Sequence, residues 1–179
     1  MNWIITRVDG KIASVDISYH GAADVLAAVA GMPASAVQSV TTQKIDTDAL
    51  FALSEGLKWE DLMLFGSSFQ KQVWKALFDL THSGSAPKLL SYTDFAESMG
   101  KGPGVRAVAH ALGLNPLPVI IPCHLVIPKE SLERLHTIQT ENALFGRKAL
   151  YIVDSHVDYG EYSLGPSLKR DLILRHLNQ

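Results

Sequence analysis

The stretch Asn115-Pro116-Leu117-Pro118-Val119-Ile120-Ile121-Pro122-Cys123-His124-Leu125-Val126 is an apolar run that ends on a Pro-Cys-His tripeptide. Three prolines fix the backbone at intervals and deny the segment a continuous helix. The only cysteine of the chain therefore sits on a constrained turn beside a histidine. A thiolate is the reactive form of cysteine, and a neighbouring imidazole or positive dipole lowers the thiol pKa. Residues adjacent in sequence need not have touching side chains, so two readings stand: an activated nucleophile, or a small buried hydrophobe.

Upstream of this turn the sequence predicts three short helices with tight joints. Phe69, Val73, Trp74 and Leu77 recur at helical spacing over residues 69–80, with Ser67 and Ser68 as candidate N-caps. Ser91 to Met99 reads as a second helix, broken by Gly100-Lys101-Gly102-Pro103-Gly104, and the Ala-rich run Val105 to Leu112 as a third. The arrangement suggests a helix-turn-helix, which many small helical domains share. Nearer the N-terminus, two β-rich runs flank Asp9-Gly10, a dipeptide suited to a type I′ hairpin turn. An Ala-rich helix over 21–31 stops at Gly31-Met32-Pro33, and residues 34–66 have no clean period.

Composition narrows the classes. The 179 residues are 47 % hydrophobic and 19 % charged, which permits a buried core. Sixteen Lys and Arg against eighteen Asp and Glu give a net charge of -2, which excludes a strongly basic protein but not a local basic patch. Residues 69–150 carry nine basic and six acidic side chains, the only segment with a positive excess. No apolar stretch is long enough for a membrane span, and the N-terminus has no basic region ahead of an apolar run, so neither membrane insertion nor a signal peptide is expected. One cysteine allows no intramolecular disulfide and no Cys-rich zinc site.

The turn and the helices upstream of it together resemble a known family. Pro122-Cys123-His124-Leu125-Val126 is similar to the active-site signature Pro-Cys-His-Arg-Val of the O6-alkylguanine-DNA alkyltransferases. Gly66-Ser67-Ser68-Phe69-Gln70 with Val73-Trp74 resembles the family's opening helix. Ser91-Tyr92 with Phe95-Ala96 resembles the next, and Val105-Arg106-Ala107-Val108-Ala109-His110-Ala111 resembles its DNA recognition helix. The order and spacing hold over residues 66–128.

The resemblance implies an α/β protein: a small N-terminal α/β domain over residues 1–65, then a winged helix-turn-helix-like DNA-binding domain over 66–179 that carries the cysteine and a C-terminal helical extension. It implies DNA repair by irreversible transfer of an alkyl group from O6-alkylguanine in DNA to Cys123, each molecule acting once and without metal or cofactor. His124 would take the thiol proton through a water, and Asn115 would brace the turn. Tyr92 would press the DNA backbone and meet the rotated base, and Arg106 would fill the gap in the stack. Ala107 and Ala109 would let the recognition helix approach the groove, and Val126 would line the substrate site. The expected partner is double-stranded DNA carrying O6-alkylguanine. The chain is expected to be monomeric and to work in the cytoplasm, or in the nucleus of a eukaryote.

Departures from the family pattern are equally legible. Leu125 stands where the signature has Arg, removing a possible phosphate contact. Counting onward places the family's Tyr-Ser/Ala-Gly-Gly-Leu substrate loop at Thr140-Glu141-Asn142-Ala143-Leu144, which shares only the leucine. The same count puts the carboxylate of the family's Glu-His-water-Cys relay at Asp154. An alternative is therefore a divergent relative that binds DNA or alkylated bases without efficient transfer. Retention of Cys123 favours transfer.

Overall fold

In the computed structural model the description covers residues 1–33, 35–84, 88–144 and 157–177. The chain divides into two compact units, residues 1–82 with 115–122, and residues 83–114 with 123–177 of its tail.

The first unit is built on a three-stranded antiparallel sheet of order β2-β1-β3, where β1 is Asn2–Val8, β2 Lys11–Asp16 and β3 Val40–Asp46. Asp9 and Gly10, at φ 48° and 82°, make the β1–β2 turn. Both central residues of a type I′ turn need positive φ, which is why Asp-Gly suits it. Helix α1 (His20–Ala30) covers the sheet and sends Val25 into a cluster with Val8 and Ala13. The edge strand β3 presents Thr41, Thr42, Gln43 and Lys44 to solvent, polar side chains that discourage pairing with another strand. Helix α2 (Thr47–Glu55) starts on Asp46, whose carboxylate accepts from Ala49 N at 2.8 Å.

Helix α3 (Ser68–Thr81) opens on a reciprocal cap. Ser67 Oγ accepts from Gln70 N, and Gln70 Oε1 accepts from Ser67 N at 2.7 Å. Its periodic apolar face buries Val73, Trp74, Leu77 and Phe78. The proline-rich segment 115–122 joins this unit through Val15 N, which donates to Pro116 O at 2.9 Å. Leu117, Val119, Ile120 and Ile121 of that segment are all buried.

The second unit holds a short parallel pair, β4 (Leu90–Ser91) against β5 (Val126–Ile127). Helix α4 (Tyr92–Ser98) follows β4 directly, and Ser91 caps it by accepting from Asp94 N at 2.9 Å. One turn of 3₁₀ helix, Gly102–Gly104, leads into α5 (Val105–Gly113), which packs on α4. Beyond β5 come α6 (Lys129–Leu144) and α7 (Pro166–Leu177). Leu135 of α6 and Ile173 of α7 share a core cluster with Ile127, Val157 and Tyr159. The α/β class expected from the sequence is the class observed.

The stretch expected to be the substrate loop, 140–143, lies instead within α6. That helix stands between the cysteine turn and the segment that borders the cavity described below. Counting from Cys123 therefore stops inside a helix, short of the segment that borders the cavity.

Candidate active site

Cys123 opens a turn of 3₁₀ helix, Cys123–Leu125, that runs into β5. The residue is 7 % exposed and lines a cavity of about 490 Å³ with Tyr92, Ala109, His110, Leu114, Glu161, Tyr162 and Ser163. That volume falls within the roughly 300–1,000 Å³ usual for small-molecule sites. The walls come from the start of α4, the exposed side and end of α5, and the segment leading to α7.

The backbone ahead of the cysteine is held firmly. Asn115 Nδ2 donates to Ile121 O at 2.7 Å, and Asn115 Oδ1 accepts from Leu117 N at 3.0 Å. One buried amide thus spans the loop that ends two residues before Cys123. Val119, inside this loop, has φ of 74°, a strained value for a β-branched residue, and the amide clamp helps to impose it.

Two tyrosines and a lysine surround the sulfur. Burial first, then the negative charge of Cys123, pushes Tyr92 up to about 12. Burial likewise raises Tyr162 well above its ordinary value, with the charge of Cys123 adding to the shift. Both phenols stay protonated at neutral pH and can donate. Lys169, fully buried on α7, donates to Val126 O at 3.0 Å and to the Tyr92 hydroxyl at 3.3 Å. Burial brings its pKa down from 10.5 to about 8, while Cys123 and Asp158 oppose the fall. The attraction is mutual: an ammonium that a thiolate favours also favours the thiolate.

His124 is wholly buried, and its Nε2 lies 3.0 Å from Nδ1 of His176 in the last turn of α7. Its Nδ1 has no hydrogen-bond partner among the described residues. Burial, then His176, then Lys169 depress its pKa well below 6.5, so the ring is neutral at physiological pH.

The other expected residues fall as follows. Arg106 and Ala107 are exposed on α5, and Ala109 of the same helix lines the cavity. Val126 is buried in β5 and contributes its carbonyl to Lys169 rather than a side chain to the cavity lining. Leu125 is fully buried, an interior position where an uncompensated arginine would be costly. Asp154 lies outside the described residues. The side chain that meets His124 Nε2 is His176.

Sequence reading missed Lys169, Tyr162 and His176. A signal for them was present: Tyr162-Ser163-Leu164-Gly165 keeps the Tyr-Ser pair and the second glycine of the family's substrate loop, just ahead of the last helix.

A small sheet-bearing unit and a helical unit that carries a buried cysteine make up the fold, which comparison with solved structures shows to be shared with O6-methylguanine-DNA methyltransferases. Residues 68–143 match the family model of the 6-O-methylguanine DNA methyltransferase DNA-binding domain. That segment, less than half of the chain, is similar to the family's DNA-binding domain. It is 39 % identical over 71 residues to a probable methylated-DNA–protein-cysteine methyltransferase of Acanthamoeba polyphaga mimivirus, covering 40 % of this chain and 45 % of that one. It is 42 % identical over 66 residues to the constitutive methylated-DNA–protein-cysteine methyltransferase of Bacillus subtilis, covering 37 % and 38 % of the two chains. These matches span less than half the length of the curated relatives. Among solved structures, the O6-methylguanine-DNA methyltransferase of Pyrococcus kodakaraensis superposes with a TM-score of 0.54 at 19 % identity, over 99 % of this chain and 92 % of that one. Mycobacterium tuberculosis OGT in complex with DNA gives 0.52 at 23 % identity, over 97 % and 85 %. Among the described residues no helix is long and apolar enough to cross a membrane.

Proposed function

We propose that this protein repairs DNA by transferring the alkyl group of O6-alkylguanine to Cys123, with residues 66–179 as the DNA-binding and transfer domain. The observation that carries the reading is the thiol of Cys123 lining a cavity beside the buried ammonium of Lys169 and the neutral imidazole of His124.

The chemistry follows from that set. His124 removes the thiol proton, relayed by water, and Lys169 holds the resulting negative charge. Sulfur attacks the alkyl carbon, forming the S–C bond as the C–O6 bond breaks. The departing guanine takes up a proton, so the thiol proton is accounted for and the products are S-alkyl cysteine and guanine. Tyr92 and Tyr162, held protonated, can donate to the base as charge develops on it. A thioether does not hydrolyse, so one molecule acts once. Asn115 acts through the backbone before Cys123. Ala107 and Ala109 keep α5 slim for the approach to a groove. Double-stranded DNA is the expected partner of a monomeric protein, and no cofactor is required for the step.

Incubation with O6-methylguanine DNA tests the reading. The expected result is a single methyl adduct on Cys123, located by intact mass and peptide mapping, and none in Cys123→Ser. Unmodified protein under excess substrate, with binding confirmed, would favour a relative that binds lesions without transfer.

Arg106 offers a test of base rotation. It is exposed on α5, which supports the reading that it fills the gap left by a displaced nucleotide. Extruding a base costs a few kcal/mol, and each ~1.36 kcal/mol is tenfold in rate. Arg106→Ala should lower the rate on duplex DNA by roughly tenfold or more, and the rate on free O6-benzylguanine by under about threefold. Single-turnover kinetics on both substrates, with a thermal melt to confirm folding, checks this. Equal losses would remove Arg106 from the mechanism.

A further inference from the structure

The contact at His124 is between two imidazoles. A carboxylate in that position would only accept a hydrogen bond at neutral pH. A histidine can accept or donate, and which it does decides where His124 keeps its own proton.

We propose that His176 is a positioning residue for alkyl transfer: as a neutral acceptor through Nδ1 it holds the proton of His124 on Nε2 and so leaves His124 Nδ1 bare to take the proton of Cys123. This rests on the alkyltransferase reading above.

The geometry allows two arrangements across the 3.0 Å contact. In the first, His124 Nε2–H donates to His176 Nδ1. A neutral imidazole carries one proton, so His124 Nδ1 is then an unprotonated base, and it is this atom that has no partner among the described residues. In the second, His176 Nδ1–H donates to His124 Nε2. The neutral His124 ring must then carry its proton on Nδ1, and it can no longer take another there. Protonation of His176 makes both of its nitrogens donors and enforces the second arrangement. A cationic His124 with no thiolate beside it is disfavoured, because the ring is wholly buried and faces the ammonium of Lys169; the charge is sustained only when the proton taken is the thiol's own and the thiolate is its counter-ion. The pair therefore works as an acid-sensitive switch: uptake of one proton by His176 turns off the base.

Among the described residues, three charged or titratable groups stand near the pair. Cys123 shares the turn with His124, Lys169 lies two turns back along α7, and Arg175 precedes His176. His176 itself makes the contact to Nε2, and imidazole is the side-chain type that gains or loses a proton nearest neutral pH.

Two measurements on the full chain test this. Single-turnover transfer from O6-methylguanine DNA is followed from pH 5.5 to 8 for the native protein, His176→Glu and His176→Phe, with melts to confirm folding. The native rate should fall toward acid. His176→Glu, a permanent acceptor, should keep the pH 8 rate within about threefold and shrink the ratio of the pH 8 rate to the pH 5.5 rate at least tenfold. His176→Phe, with no acceptor, should lose at least tenfold at pH 8. Superimposable profiles for the native and Glu proteins, or a Phe variant with the native rate, would overturn the proposal. Independently of activity, proton–nitrogen correlation spectra of the ¹⁵N-histidine protein should show His124 protonated on Nε2 at pH 8 and on Nδ1 at pH 5.5. A proton on Nδ1 at pH 8 would also overturn it. Native protein that transfers no alkyl group would sink the alkyltransferase reading, and the spectra would still decide the arrangement of the pair.

Discussion

Replacing Lys169 by methionine will slow alkyl transfer to Cys123 by about a hundredfold and leave the protein at least as stable as before at pH 7. The rate effect follows from the charge. An opposite charge within reach shifts a neighbour's pKa by about 1–3 units, so removing the ammonium cuts the thiolate fraction at neutral pH by tens to about a thousandfold. The stability effect has the opposite sign. A fully buried lysine whose pKa falls from 10.5 to about 8 is a cation that the folded state disfavours, on the order of 3 kcal/mol. Methionine removes that burden and keeps the stem volume. It leaves Val126 O without the ammonium, a loss of roughly 1–3 kcal/mol that offsets part or all of the gain.

The pH dependence makes the prediction sharper. Between about pH 8 and 10 the unfolded chain keeps the proton on Lys169 and the folded chain does not, so native stability rises with pH across that window. Above pH 10 the slope reverses, because Tyr92 and Tyr162 hold their protons in the fold and release them when unfolded. In Lys169→Met the rise between 8 and 10 disappears and the fall above 10 remains. Melting curves across pH, beside single-turnover rates at pH 7, check both halves. A variant with the native rate would show that Lys169 serves packing alone.

Asn115→Ala should destabilise the first unit by roughly 2–5 kcal/mol, because it leaves a buried carbonyl and a buried N–H without their partner. The strain at Val119 should relax with it, freeing the chain that leads to Cys123. Transfer should fall together with stability. Asn115→Asp separates shape from hydrogen bonding. It matches the amide in size, yet it aims an acceptor at Ile121 O, and it should be no more stable than the alanine variant. Denaturant unfolding of both proteins gives the comparison, and an aspartate variant as stable as the native chain would show that the amide clamp contributes nothing.

Much of this protein was legible from sequence because the signals are local. Asp9-Gly10 calls for positive φ at two successive positions, and the hairpin follows wherever the flanks are β-rich. Ser67 and Gln70 cap α3 from three residues apart, and the buried face of that helix is the periodic one. The tripeptide Pro122-Cys123-His124 needs no long-range contact to sit on a turn. Family resemblance over residues 66–128 added the chemistry that spacing alone left open.

What lay beyond Cys123 was decided by tertiary structure. Counting along the chain assumes a constant length between landmarks, and it cannot foresee that the counted stretch is part of α6, a helix that packs through Leu135 onto Ile127 and Ile173. A helical period says that α7 has an inner face, but not which neighbour that face meets. Lys169 reaches Val126 O across 43 positions of sequence, and His176 reaches His124 across 52. Such contacts arise because a buried cation and a buried imidazole must each find a partner out of water, and only the folded chain determines which partner is there.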